Sequence, residues 1–291
     1  MLKRLAKARW ARVPIRIARR LFPKRRRASP GQASRYFLYL RDNYFEFLKA
    51  RFPTLDQAQF FATVQNNLDP KISGAANKYV ADLWDLFEPS YKADFAAFYK
   101  WHEKLLFFRF LVYASDEQRI VTNYAAAYQF AIDRLGKLDV LEVGGGVPHG
   151  LIYSVFQHGP GFCERLTYVD LDVLHADFVA WYAAQRNLPL RQLRVVAARA
   201  PAVPEGSYNF AFVKDVFEHL DRPEVLLDGL MAQLRPGGVL AVDLEHKGAV
   251  VHQHISPDLP PLKDRLRAQG FAQIATFGVL TLWTRPEPRR D

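Results

Sequence analysis

The segment Leu138 to Gly150, LDVLEVGGGVPHG, constrains the fold more than any other part of the chain. Val140, Leu141 and Val143 read as a buried β-strand that runs directly into three consecutive glycines, Gly144, Gly145 and Gly146. With no Cβ there, the backbone can turn through left-handed conformations and a ligand can approach it closely. A strand, a glycine turn and then a helix is the nucleotide-type site of a parallel α/β sheet. Glu142 places an acid immediately before that turn. A dinucleotide fingerprint requires G-x-G-x-x-G. Counted from Gly144, its third glycine falls on His149, and the chain supplies Gly150 instead, which counts against a nicotinamide site.

From about residue 136 the pattern alternates between short apolar runs and amphipathic stretches. Strands are predicted at 138–143, 166–170, 193–197, 208–214, 238–244, 271–276 and 279–284. Helices are predicted at about 149–157, 173–186, 222–234 and 259–269. Such alternation implies α/β architecture, a doubly wound and mostly parallel seven-stranded sheet. The last two strands are separated only by a few residues around Gly278, so they must form an antiparallel hairpin. Gly270 stands where a helix C-cap is expected. Residues 35–135 carry apolar positions at three- and four-residue steps and read as helices throughout, with Ser115, Glu117 and Gln118 resembling a capping box. Residues 36–130 hold 24 of the 40 aromatic side chains, enough for a bulky helical core or the walls of an apolar pocket. The expected organisation is a tail at 1–34, a helical cap at 35–135 and the sheet domain at 136–291.

The net charge of +10 resembles a nucleic-acid signal until its distribution is considered. Residues 1–28 hold 12 Lys/Arg and no acid, which leaves 28 basic against 30 acidic side chains in the remainder. The basicity belongs to the tail, and nucleic acid is not an expected partner. Leu2, Leu5, Trp10, Val13, Ile17 and Leu21 recur among the cations at roughly helical spacing, interrupted by Pro14. The tail therefore reads as a basic amphipathic helix on an anionic membrane, as a solvated basic arm, or as an Arg-rich transit peptide. No apolar run has the length of a membrane span, and the single cysteine, Cys163, excludes an intrachain disulfide. A cytoplasmic protein is expected, membrane-associated if the tail binds lipid.

Three stretches, LEVGGG, YVDLD and SYNFAFVKDVFEHLDRPEVLLDGLMAQLRPGGVLAVD, together resemble the class I S-adenosylmethionine-dependent methyltransferases. The resemblance covers about residues 120–285 and implies S-adenosylmethionine as cofactor. It implies that Glu142 faces the methionine ammonium and that Gly144, Gly145 and Gly146 pass beneath the ligand. Asp170, 28 residues after Glu142, would accept the two ribose hydroxyl protons, and Leu171 would pack on adenine. Lys214 and Asp215, at the end of the fourth strand, are also expected on the cofactor side. Two positions depart from the pattern: Arg199 and Asn209 stand where relatives place acids, so adenine recognition must come from elsewhere.

Methyl transfer asks the protein mainly for alignment and sometimes for a base. Glu218 and His219, after the fourth strand, and His252 and His254, after the fifth, are the catalytic candidates. His246 lies nearby. A His with a near-neutral pKa suits a hydroxyl or carboxyl acceptor. The His252-x-His254 pair lacks a placed third ligand, so no metal is expected. The sequence lacks an N/D-P-P-Y/F stretch and a Pro-Cys nucleophile at the fourth strand, which argues against nucleobases. The expected reaction is O-methylation of a small molecule, a glycan or a lipid-linked intermediate. The rival readings are a binding or scaffolding module on a degenerate methyltransferase fold, and an NAD-dependent oxidoreductase.

Overall fold

The structure is a computed structural model that describes residues 34–69, 95–195, 202–245 and 259–285, together with Lys78 and Asp82. The basic tail up to residue 33, Arg199, His246, His252 and His254 lie outside the described residues, as does nearly all of the helix expected at AANKYVADLWDLF. None of the described helices is long and apolar enough to cross a membrane.

Among the described residues, six α-helical segments precede the sheet: α1 (Arg35–Arg51), α2 (Gln57–Asn67), α3 (Phe95–Trp101), α4 (Glu103–Tyr113), α5 (Glu117–Ile120) and α6 (Ala126–Leu135). Ser34 caps α1 by accepting from the Phe37 N–H. The capping box expected at Ser115 is displaced by one residue. Asp116 is the cap of α5 and accepts from the Arg119 N–H, because a carboxylate in extended-type backbone reaches the third amide of the helix. A π-turn, Val121–Ala125, joins α5 to α6.

The sheet strands are β1 (Leu138–Val143), β2 (Cys163–Leu171), β3 (Leu190–Val195), β4 (Tyr208–Val213), β5 (Leu234–Asp243), β6 (Ala272–Phe277) and β7 (Leu280–Thr284). Between them lie α7 (His149–His158), α8 (Leu174–Gln185), α9 (Pro223–Gln233) and α10 (Pro260–Ala268). The strand order is β3-β2-β1-β4-β5-β7-β6. The first five strands are parallel, and β7 runs antiparallel to both β5 and β6. The hairpin expected around Gly278 is present, and Gly270 takes a left-handed φ of 79° after α10.

Both faces of the sheet are buried, as parallel strands require. Val140, Tyr168, Phe210, Phe212, Val239 and Ala241 pack under the N-terminal helices, α7 and α8. Leu141, Val143, Val169, Ala211, Val213 and Leu240 face α9 and α10. The cap helices are joined to the first of these faces through aromatic contacts. Tyr44 of α1 stacks on Phe107 of α4 at 4.1 Å, and both meet Phe178 of α8. Arg186 ties the same layer together, donating to the Tyr39 hydroxyl (3.2 Å) and to Asn43 Oδ1 (3.0 Å).

Asn209 sits at the opening of β4, at the opposite end of the sheet from the glycine turn. Its Oδ1 accepts from the Asp139 N–H (2.7 Å) and its Nδ2 donates to the Lys137 carbonyl (2.8 Å). The expectation that this position bears on adenine recognition is corrected: in a parallel sheet the start of a strand cannot reach a ligand at the strands' C-terminal ends.

Phe107 is fully buried at the junction of α1, α4 and α8. Phe107→Ala is expected to cost about 3–5 kcal/mol of unfolding free energy, measured as a lowered urea midpoint with unchanged slope. An unchanged midpoint would mean that the cap is not part of the cooperative core.

Candidate functional site

The strand order reverses between β1 and β4, and in an open α/β sheet that switch point opens a crevice at the strands' C-terminal ends. The glycine turn forms one wall. Gly144 and Gly146 have φ of 63° and 55°, the left-handed region that favours glycine. A Cβ on Gly146 would lie 2.6 Å from the ring of Phe110, so α4 rests directly on the turn.

Asp170, at the end of β2, holds that turn in place. Its Oδ2 accepts from the Gly146 N–H (2.7 Å) and its Oδ1 from the Leu171 N–H (2.7 Å). The Tyr168 hydroxyl lies 2.5 Å from both Asp170 Oδ2 and the Gly146 carbonyl and shares its proton between them. His175 Nε2 stands 3.7 Å from Oδ2. Burial pushes the Asp170 carboxyl up, but the hydrogen bonds and the His175 imidazole outweigh it and hold its pKa below the ordinary value. The group is an ionised carboxylate that is only 8% exposed. Asp172, the competing acid two residues on, is exposed and paired with Arg194 (2.6 Å).

Glu142 is 1% exposed, and the Tyr128 hydroxyl of α6 donates to its Oε2. Its other oxygen lies against Gly145, where a Cβ would stand 2.7 Å away. Burial raises its pKa to about 8, the Tyr128 hydrogen bond opposes this and the Asp170 charge adds to it. At neutral pH it is a carboxylic acid rather than a carboxylate.

The opposite wall follows β4. Lys214 is buried, bonded to Asp215 Oδ2, and its Nζ lies 4.9 Å from the ring centroid of Tyr124, which the π-turn presents. Burial lowers the Lys214 pKa, but Asp215, Tyr124 and Asp243 outweigh it and raise the pKa above the ordinary value, so the ammonium is charged. Asp215 has a φ of 55°, unusual for a residue with a Cβ. Glu218 and His219 lie on the short turn Phe217–His219; Glu218 is buried, and its Oε1 is 4.0 Å from His219 Nε2. Leu171 closes β2 beside Asp170 and is half-buried.

Several groups in the crevice carried no sequence signal. His149, marked in the sequence only as the failed third glycine position, is fully buried. Its Nδ1 meets the Tyr36 hydroxyl at 3.1 Å, and its ring also faces the Phe110 carbonyl. Burial drives its pKa down to about 3, opposed by the Phe110 carbonyl and aided by Lys214. Tyr99 of α3 reaches into the field of Arg109, Glu218, Asp170 and Asp215. These positions were unreadable because nothing local sets Tyr99 apart from the other cap aromatics or marks His149 as buried, and only packing selects them. The described residues contain no cluster of three or more metal-ligating side chains.

Glu142 and His149 oppose one another in pH dependence. The raised Glu142 pKa contributes stability that is full below about 4.5 and is lost as pH rises through about 8. The depressed His149 pKa contributes stability that is full above about 6.5 and is lost as pH falls through about 3. Glu142→Gln keeps an acceptor for Tyr128 and removes only the titration. Its melting temperature relative to the native protein is therefore expected to rise between roughly pH 5 and pH 8, by an amount worth on the order of a few kcal/mol at most. A gap that stays flat across that range would mean that Glu142 is ionised in the native protein.

A family model described as a methyltransferase domain matches residues 141–242, about a third of the chain, from β1 to β5. No curated protein matches the sequence. Among solved structures, the chain is similar to the (4+2)-cyclase SpnF (14% identity, TM-score 0.44, 56% of this chain and 81% of that one). It is also similar to the N-methyltransferase NodS from Bradyrhizobium japonicum WM9, solved with S-adenosyl-L-homocysteine (14%, TM-score 0.42, 59% and 88%). A third is the 1,6-didemethyltoxoflavin-N1-methyltransferase from Burkholderia thailandensis (19%, TM-score 0.40, 59% and 83%).

Proposed function

We propose that this chain, through the class I methyltransferase domain at 141–242, transfers a methyl group from S-adenosylmethionine to an oxygen of a small molecule, a glycan or a lipid-linked intermediate. The observation that carries the reading is Asp170: a buried carboxylate that stays ionised, at a strand end, bonded to a left-handed glycine turn.

The residues present fit the donor. S-adenosylmethionine is cationic at sulfur and at its ammonium and offers a ribose diol. Asp170 is an ionised carboxylate at the glycine turn, with the Glu142 carboxyl next to it on β1. Such a donor set favours a cationic ligand. Asp170 Oδ1 accepts a single N–H from the chain and keeps capacity for a hydroxyl. In this reading Asp170 takes the diol, Leu171 packs on adenine and Gly144, Gly145 and Gly146 run beneath the ligand. Glu142 answers the ammonium, and a cation beside it would draw off its proton.

When bound, the donor supplies a methyl on a sulfonium that departs as a neutral thioether. The remaining work falls to the chain. His219 takes the proton of the acceptor hydroxyl, and Glu218, at 4.0 Å, stabilises the imidazolium that forms. The aromatic cap excludes water. His252 and His254 are further candidates for the same base.

Calorimetric titration with S-adenosylmethionine tests the reading. Binding is expected at micromolar concentrations, weakened by about 1–3 kcal/mol in Asp170→Ala, which removes charge-assisted hydrogen bonds. Folded protein that fails to bind at millimolar donor would instead be a scaffolding module. His219→Ala is expected to lower turnover by about 10²–10⁴-fold with donor affinity retained. Equal loss of both would make His219 structural.

A further inference from the structure

Resting on the methyltransferase reading, we infer that Lys214 and Tyr124 form a recognition site for a carboxylate on the acceptor, with Asp215 as its exchangeable occupant.

The position comes first. Lys214 is the first residue after β4, beside β1, where the strand order reverses. An ammonium there costs several kcal/mol to bury unless it is paired. Its side chain is only 6% exposed, and two acids answer it. Asp243, at the end of β5, is itself buried and adds to the field that keeps Lys214 charged. Asp215 is different: its side chain is 51% exposed although its Oδ2 is bonded to Nζ.

The backbone explains how that contact is made. Lys214 and Asp215 are consecutive residues just past the end of β4. The left-handed φ of 55° at Asp215 turns its carboxylate back onto the ammonium. Asp is among the residues that adopt this region most readily. Asp243 already provides buried counter-charge, so the solvated Asp215 is not needed to keep the ammonium paired. The arrangement keeps one carboxylate on Lys214 from the solvent side, where another can replace it.

The surroundings match an organic acid rather than a bare ion. Tyr124 turns its ring face to Nζ at 4.9 Å and stacks on Phe212. The His149 ring, 5.7 Å from Tyr124, lies edge-on to it. Phe212 and His149 are buried behind Tyr124, whose partly exposed ring offers the flat apolar surface beside the ammonium.

Benzoate is the probe, with benzamide as its neutral isostere, titrated by ligand-observed NMR against the full chain. Benzoate is expected to bind and benzamide to bind at least about tenfold more weakly. Asp215→Asn keeps a residue that tolerates the left-handed region and removes the competing charge. It is expected to tighten benzoate by about fivefold or more. Lys214→Met is expected to lose benzoate binding, with partial recovery in Lys214→Arg. Benzoate affinity that is unchanged or weaker in Asp215→Asn, or benzamide binding as well as benzoate, overturns the inference. Absence of benzoate binding to both the native protein and Asp215→Asn does the same. Donor calorimetry on the native protein separates the two readings. Donor binding with no benzoate response removes the carboxylate site alone, whereas loss of donor binding removes the methyltransferase reading.

Discussion

An ionised carboxylate buried at the mouth of an apolar sheet must be surrounded by donors, and the region around the crevice is organised by that demand at Asp170. The donors come from separate parts of the chain: the Gly146 N–H from the turn, the Tyr168 hydroxyl and Leu171 N–H from β2, with the His175 imidazole of α8 near Oδ2. Satisfying one charge thus ties the glycine turn to the strand beside it and to the helix that follows. The left-handed backbone at Gly146 is held by this network, while the Gly144 N–H donates to the Val169 carbonyl.

The helical cap completes the same construction from above. Phe110 rests on Gly146 and meets His175 edge-on, while Tyr36 of α1 holds His149 at the start of α7. Tyr128 of α6 occupies Glu142. Two titratable groups are thereby kept neutral at physiological pH in opposite senses, a protonated acid and a deprotonated imidazole, because burial penalises whichever form is charged. The aromatic richness of the cap therefore does more than fill a core. It sets the protonation states beside the turn.

Charge is divided across the crevice. The β1 and β2 side holds Glu142 and Asp170, and the β4 side holds the Lys214 ammonium with Asp215, followed by Glu218 and His219. A cationic methyl donor suits the Asp170 carboxylate, and an acceptor with an acidic oxygen suits the lysine. This division underlies both the proposed reaction and the proposed carboxylate site.

The sheet was largely legible in the amino-acid order because its determinants are local. Runs of Val, Leu and Phe mark β1, β4 and β5, Gly270 and Gly278 mark a cap and a turn, and the short link between β6 and β7 allows only a hairpin. The acid–glycine pattern at 142–146 and Asp170 at a strand end were legible for the same reason. Errors were small and local, as at Asp116, or concerned which end of a strand a residue occupies, as at Asn209. What only the tertiary structure decided is which side chains meet: Tyr36 with His149 across 113 residues, Tyr128 with Glu142, Phe110 with Gly146, and Asp215 folded back on Lys214. The sequence alone determined where strands, turns and acids fall, because backbone preference and periodicity act over a few residues. It could not determine burial, pairing or protonation, because those follow from packing between elements distant along the chain.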